Sequence, residues 1–239
     1  IKMPGVEQSE FQGRIPTHEV GRNADYFPAD SGILIRAGSL MGSNGHLHSN
    51  GRRTTARLDV GFKLLPRGVK PKYLISNVAP GTAELVDVKG NEANQRGEAY
   101  ITLTDPMMLV AFEPHMHAAG VRQCLDAIYG PMVQTLNCAG YNHSWVKAYT
   151  YDEDSMPLLP RGTILRVTGY FDTTPANRNV SEPRNWSGFG YRSIDQMLIN
   201  SSSAIMLTDG QFAEEVEKRR AKLRQGVGEG LGCPTCGLS

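Results

Sequence analysis

Two histidines separated by one residue, His115 and His117, follow the apolar run MMLVAFEP and present a recognisable arrangement for metal chemistry. Residues i and i+2 of a β-strand project from the same face, so the two imidazoles would stand side by side, as in a chelate. Imidazole nitrogen binds copper, zinc, iron and nickel. The tripeptide alone leaves two interpretations open, a pair of metal ligands or two histidines that merely share a strand face.

A second pair with the same spacing, His46 and His48, lies upstream in GHLHSNG, so four of the six histidines occur in His-x-His pairs. Independent placement would rarely produce this arrangement, which favours metal binding. A thioether beside imidazoles favours Cu(I), and Met197 in YRSIDQM is a candidate for it, with ordinary core packing as the alternative. His143, in YNHSW, has no metal-binding residue close to it in the sequence, and we expect it to be an ordinary loop or strand-end histidine.

The four cysteines form two pairs. Cys124 and Cys138 each lie seven residues from Pro131, in a strand–turn–strand pattern. A hairpin centred on Pro131 would place them opposite each other, with Cβ atoms about 4.5–5.5 Å apart, which predicts a disulfide, with two buried thiols as the alternative. A disulfide implies an oxidising compartment, so we expect a periplasmic or extracellular protein. Cys233 and Cys236 form CPTC near the C-terminus, which could be a redox pair, a metal half-site or a disulfide.

The candidate metal ligands and cysteines must be positioned by short apolar or alternating runs that are bounded by Gly, Pro, Asn and Asp. Such a series of runs predicts an all-β sandwich or barrel. We expect two or three strands within residues 31–66 and a longer β-rich unit after them. Beyond Asp209, a candidate N-cap, the helix formers of DGQFAEEVEKRRAKLRQG predict a surface helix that docks weakly or binds a partner. The runs are GILIRAG, ARLDVGFKLL, KYLISNV, AYITLT, MMLVAF, SWVKAYTY and TILRVTGYF.

The charge and hydropathy of the chain exclude two classes of function. A net charge of +1 over 239 residues is not the basic footprint of a nucleic-acid-binding protein. No apolar run approaches the roughly 20 residues that a membrane-spanning helix needs. The sequence opens with IKMPGVEQSE, without an initiating methionine or a signal-peptide pattern, and we expect a processed or incomplete chain.

Three segments in order, PHMHAAG, LPRGTILRVTGYFDTTPANRN and W…GFGYRSIDQM, resemble the copper type II, ascorbate-dependent monooxygenases. This family includes peptidylglycine α-hydroxylating monooxygenase, dopamine β-monooxygenase and bacterial relatives, and the resemblance covers roughly residues 32–205. It implies jelly-roll-like antiparallel β-sandwich domains with one copper each. The implied division is a partial N-terminal copper-domain segment over residues 1–68, the C-terminal copper domain over 69–208, and a helix and flexible tail over 209–239.

The same resemblance implies the chemistry. His115, His117 and Met197 would hold the copper at which O2 and a small-molecule substrate react, and a C–H bond would be hydroxylated. Ascorbate or an equivalent donor would supply the electrons. His48 falls on the single histidine ligand of the family's electron-transfer copper, and His46 falls where the family has glutamine.

Two departures from the family pattern leave catalysis open. The adjacent His-His pair that completes the electron-transfer site is absent from this sequence, so either those ligands lie on a missing segment, or the site is absent or rebuilt from His46 and His48 with His18. Glu113 stands where the peptide-amidating members use arginine to hold the substrate carboxylate, and a like charge would repel such a substrate. The alternative to a monooxygenase is therefore a copper-binding module, or an accessory subunit of a larger extracytoplasmic complex.

Overall fold

The computed structural model describes residues 15, 18–19, 24–42, 45, 47, 49–78 and 86–225. His46, His48, Cys233 and Cys236 lie outside these residues. The described part contains fourteen strands and one helix, and most strands belong to two larger sheets.

The first sheet has six strands, and all of its pairings are antiparallel except that of its two N-terminal members. Five strands follow the spatial order β1–β2–β14–β5–β10, and β9 pairs with β5. Their bounds are β1 Ser31–Gly32, β2 Tyr73–Asn77, β5 Met107–Phe112, β9 Tyr149–Thr150, β10 Leu158–Leu159 and β14 Ser203–Met206.

The second sheet is fully antiparallel and has the order β4–β11–β7–β8. Two short ladders, β3 with β12 and β6 with β13, lie outside the larger sheets. The bounds are β3 Asp87–Val88, β4 Gln95–Thr102, β6 Pro114–Met116, β7 Gly120–Tyr129, β8 Met132–Gly140, β11 Ile164–Phe171, β12 Ser187–Gly188 and β13 Leu198–Asn200.

The core lies between the two sheets. Leu109 and Ala204 of the first sheet belong to the same buried cluster as Leu125, Leu165 and Val167 of the second. Alternate residues of each strand supply this inner layer, as expected when two sheets pack face to face. The predicted all-β, jelly-roll-like sandwich with a short C-terminal helix is therefore confirmed.

The helix, α1 (Asp209–Arg224), begins one residue earlier than the sequence suggested. Thr208, not Asp209, is the N-cap, because its hydroxyl accepts a hydrogen bond from the backbone N–H of Gln211. The Gln211 side chain in turn accepts one from the backbone N–H of Thr208, which completes a capping box. Asp209 lies in the first turn, where its negative charge interacts favourably with the helix dipole.

The helix packs on the outer face of the first sheet. Phe212 and Val216 contact a second buried cluster that includes Tyr73, Ile75 and Ile205. The apolar positions of the helix are thus used inside this chain, and a partner bound through the helix or tail stays a prediction.

Residues 49–72 form no strand with any other described segment, so the strand predicted over ARLDVGFKLL is wrong. GILIRAG overlaps only the end of β1, and SWVKAYTY contributes only β9. Leu58 and Leu64 are each 78% exposed, which shows that the alternating pattern lacks an apolar face to pack on. Alternation predicts a strand only where a neighbour can accept its backbone hydrogen bonds. The described residues include no helix that is long and apolar enough to cross a membrane.

Candidate metal centre

The β6–β13 ladder brings Met197 to the histidine pair. Leu198 pairs with Met116, so continuing this antiparallel register by one residue places Met197 opposite His117. Directly opposed residues have their Cβ atoms about 4.5–5.5 Å apart on the same face. Met197 is buried at 5% exposure, yet it belongs to neither apolar cluster of the described part. The continued register therefore makes Met197 a candidate neighbour of the two histidines.

The rings of His115 and His117 have a separation that one ion can bridge. Their centroids are 5.6 Å apart and the ring planes are inclined by 72°. With metal–nitrogen bonds of about 2.0 Å, each ring centre lies about 3.2 Å from the ion, so two ligating rings can be at most about 6.4 Å apart. The observed separation is within this limit.

One nitrogen of each ring has a hydrogen-bond partner. His115 Nδ1 is 2.7 Å from the Glu19 carboxylate oxygen Oε1. His117 Nδ1 is 3.1 Å from the backbone carbonyl of Asp195, to which it can donate its proton. Metal-binding histidines use this arrangement, in which a carboxylate or carbonyl orients the ring and the other nitrogen faces the metal. Both Nε2 atoms are therefore the candidate ligand atoms.

The environment of His117 keeps its imidazole neutral. Burial, and secondarily the neighbouring ring of His115, lower the pKa of His117 from 6.5 to about 4. A metal ligand must be deprotonated, and at neutral pH the ring meets that condition without competition from a proton.

The loop that carries Met197 is held tightly. The Asp195 carboxylate accepts hydrogen bonds from the side chain of Arg192, at 3.0 Å from Nε and 2.7 Å from Nη2. Gly190 approaches Asp195 so closely that an added Cβ would lie 2.7 Å from the Asp195 Cβ. Because Asp195 also supplies the carbonyl that binds His117, this packing fixes the imidazole and the methionine together.

A third imidazole lies beside the pair, and the sequence did not indicate it. His143 is in the turn after β8, as expected of a loop histidine, but its ring centroid is 6.2 Å from that of His117. The β7–β8 hairpin returns the chain toward β6, which brings together two histidines that are distant in the sequence. Burial lowers the pKa of His143, with a smaller contribution from His115.

The other predicted site residues are placed differently. His18 Nε2 is 2.7 Å from Asp25 Oδ2, so this histidine has a carboxylate partner. Glu113 is buried at 2% exposure, and a nearby cleft is lined by other residues. A substrate contact through Glu113 thus stays a prediction. The cleft is lined by Pro114, Gly140, Tyr141, Asn142, Trp145, Lys147 and Tyr149.

The predicted disulfide is confirmed. Cys124 and Cys138 are directly opposed across β7 and β8, with Cα atoms 4.0 Å apart, and their sulfurs are bonded. In the described ranges no group of three or more His, Cys, Asp or Glu side chains surrounds a point where a metal ion could sit.

Comparisons with known proteins add little. No protein-family model matches the chain, and no curated protein matches it. A solved structure with some similarity is the VP2 subviral particle of infectious bursal disease virus, which is 10% identical with a TM-score of 0.28. The match covers 64% of this chain and 38% of the viral chain, so this chain spans well under half of that protein. Similarity at this level carries no argument about function.

Proposed function

We propose that this chain is a copper monooxygenase in which His115, His117 and Met197 hold one copper ion, where O2 hydroxylates a C–H bond of a small molecule. The observation that supports this most directly is the β6–β13 register. Continued by one residue, this register supports a position of Met197 opposite His117, whose ring centroid is 5.6 Å from that of His115.

The donor chemistry fits copper. Two neutral imidazoles and a soft thioether favour Cu(I), and three protein ligands leave positions open for a further ligand. Copper held in this way would supply the activation of O2. The protein's own contribution is to orient the ligands: Glu19 and the Asp195 carbonyl fix the two rings through Nδ1. Burial of His117 and Met197 restricts the access of water to that side of the centre.

A cleft beside the centre is a candidate substrate site. It has a volume of about 190 Å³ and includes Pro114, the residue before His115. Tyr141, Trp145 and Tyr149 line it beside Asn142 and Lys147, which suits a planar small molecule that carries polar groups. The cleft is therefore the place where we expect a substrate to approach the ligands.

The electron supply and the compartment are part of the same proposal. Ascorbate or an equivalent donor would provide the electrons, and a second copper at His46 and His48 remains a hypothesis. The disulfide fits an oxidising compartment, and we propose a periplasmic or extracellular location. A non-catalytic copper-binding or accessory role is the second candidate, since this sequence contains no adjacent His-His pair like that of the copper monooxygenases.

Copper binding tests the centre. We expect the full chain to bind copper and the His115→Ala/His117→Ala double variant to bind one ion fewer per chain. We expect Met197→Leu to weaken Cu(I) binding more than Cu(II) binding. Met156→Leu is the matched control for Met197→Leu, because Met156 is a buried methionine that packs in the second apolar cluster. A double variant that retains all of its copper would refute the centre.

Oxygen consumption then separates the two candidate functions. A monooxygenase consumes O2 in the presence of ascorbate and copper, and the double variant does not. Copper bound at the predicted residues without any ascorbate-dependent O2 consumption would favour the accessory role.

A further inference from the structure

We propose that the cleft beside the histidine pair selects a planar aromatic carboxylate, and that Lys147 determines this specificity. This inference rests on the proposed function and extends it, because it names the class of molecule that the candidate substrate site would take. The residues that carry it line the cleft and include none of the candidate metal ligands.

The cleft lies against β6, next to the candidate centre. It is lined by Pro114, at the start of β6, and by Tyr141, whose hydroxyl donates a hydrogen bond to the backbone carbonyl of Met116. The ring centroid of Tyr141 is 6.5 Å from that of His143, which in turn is 6.2 Å from that of His117. A ligand in the cleft is therefore near the histidine pair.

Among the described residues that line the cleft, Lys147 alone carries a charge. Its side chain is exposed, and it forms no ion pair with any other residue in the described ranges. No carboxylate is part of the lining. The positive charge of Lys147 is therefore available to an anion that enters the cleft.

Two neutral side chains of the cleft present donors as well. Asn142 Oδ1 already accepts a hydrogen bond of 2.9 Å from the backbone N–H of Ser144, which leaves the amide nitrogen to face a ligand. The indole N–H of Trp145 can only donate. A carboxylate has acceptors only, so it is complementary to an ammonium, an amide nitrogen and an indole N–H.

A single lysine suits a carboxylate better than a phosphate. A phosphate monoester carries about −1.5 to −2 charges at pH 7, which one ammonium would leave partly unbalanced. The lining has no arginine, whose planar fork is the usual partner of phosphate oxygens. A carboxylate carries one negative charge and matches Lys147.

Two carboxylates in this region do not supply the charge that a ligand meets. Glu113, whose like charge disfavours a carboxylate at its own position, is buried at 2% exposure and is not part of the lining. Glu19 lies 2.7 Å from Nδ1 of His115 and is engaged by that ring. The charge at the cleft surface is therefore that of Lys147.

The aromatic lining indicates the rest of the ligand. Tyr141, Trp145 and Tyr149 can contact a planar ring by offset or edge-to-face packing. The Tyr149 ring is itself packed on Phe112, with centroids 6.0 Å apart, so this side of the cleft is preorganised. The volume of about 190 Å³ is below the roughly 300–1,000 Å³ of sites for drug-sized ligands, which favours a molecule with one ring.

Calorimetric titration of the metal-free full chain with benzoate, benzamide and benzylamine tests the charge preference. The three probes share one ring and are anionic, neutral and cationic. We expect benzoate to bind at least about fivefold more tightly than benzamide, and benzylamine to bind most weakly. Added salt should weaken the binding of benzoate but not that of benzamide.

Variants locate the binding site. Lys147→Met should reduce the affinity for benzoate to that for benzamide and leave benzamide unaffected, whereas Lys147→Arg should keep the preference. Lys63→Met is the matched control, because it removes the same charge from an exposed lysine outside the cleft. Trp145→Leu should weaken benzoate and benzamide alike, while Trp186→Leu, at an exposed tryptophan outside the lining, should weaken neither. Circular dichroism establishes that each variant is folded.

The outcomes separate this inference from the function on which it rests. Absence of binding by all three probes, equal affinities for benzoate and benzamide, or a Lys147→Met chain that binds benzoate like the wild type would overturn the inference and leave the proposed copper centre in place. A chain that prefers benzoate through Lys147 but binds no copper at His115 and His117 would refute the proposed function and support the anion-selective cleft.

Discussion

Replacing Gly190 with alanine should weaken the proposed copper centre, although Gly190 is not one of its ligands. The new Cβ would lie 2.5 Å from Asp195 Cγ and 2.7 Å from Asp195 Cβ, whereas ordinary contacts begin at 3.4 Å. A rotation of the Asp195 side chain cannot relieve the contact with its own Cβ, so the backbone must move by about 0.7 Å, the difference between 3.4 and 2.7 Å. If the Asp195 carbonyl moves away from His117 by this amount, their 3.1 Å hydrogen bond exceeds the usual limit of about 3.2 Å.

Two effects follow, and each can be measured. Overpacking of this kind costs about 1–3 kcal/mol of the free energy of unfolding, which urea denaturation of the metal-free protein reports. Loss of the bond that orients a ligand histidine typically weakens metal binding by about 10–100-fold, which competition against a copper chelator reports. Gly140→Ala is the control, since no atom lies within 4 Å of its added Cβ. A Gly190→Ala protein that is destabilised but binds copper like the wild type would refute the role of the Asp195 carbonyl.

Three other predictions concern stability. The pKa of His117 is about 4 in the folded chain against 6.5 when unperturbed. The free energy of unfolding of the metal-free protein should therefore fall by up to about 1.4 kcal/mol per pH unit as the pH falls from 6.5 to 4, and this contribution is complete above pH 6.5. An equal dependence of the free energy of unfolding on pH in His117→Gln would contradict this. Replacing both Cys124 and Cys138 with alanine, which opens a link between residues 14 apart in sequence, should cost about 3 kcal/mol in urea denaturation; an unchanged midpoint would contradict this. Thr208→Ala should cost about 1 kcal/mol of thermal stability and Asp209→Ala much less, and the reverse order would restore Asp209 as the N-cap.

Local patterns in the sequence were sufficient where the structure is local. The spacing of His115 and His117 determines a shared strand face, and the equal distances of Cys124 and Cys138 from Pro131 determine their opposition in a hairpin. The start of the helix was predicted one residue too late, although the spacing of Thr208 and Gln211 is that of a capping box and would have identified the N-cap.

Local sequence patterns could not predict contacts between segments that are distant in the sequence. The alternation around Leu58 is that of a strand, but whether a strand forms depends on a neighbour elsewhere in the chain. Met197 was selected by resemblance, and only the β6–β13 register places it opposite His117. His143 was missed because a hairpin and a turn must both form before its ring comes near His117.

The disulfide has a consequence for the maturation of the protein. It joins β7 to β8, which is the last strand of its sheet, and Cys138 is only five residues before His143. Before oxidation, the edge strand that precedes His143 is held only by its hydrogen bonds to β7 and by the packing of Leu136 and Ala139 in the core. If the proposed copper centre forms, we therefore expect Cys124 and Cys138 to be oxidised before the metal is loaded.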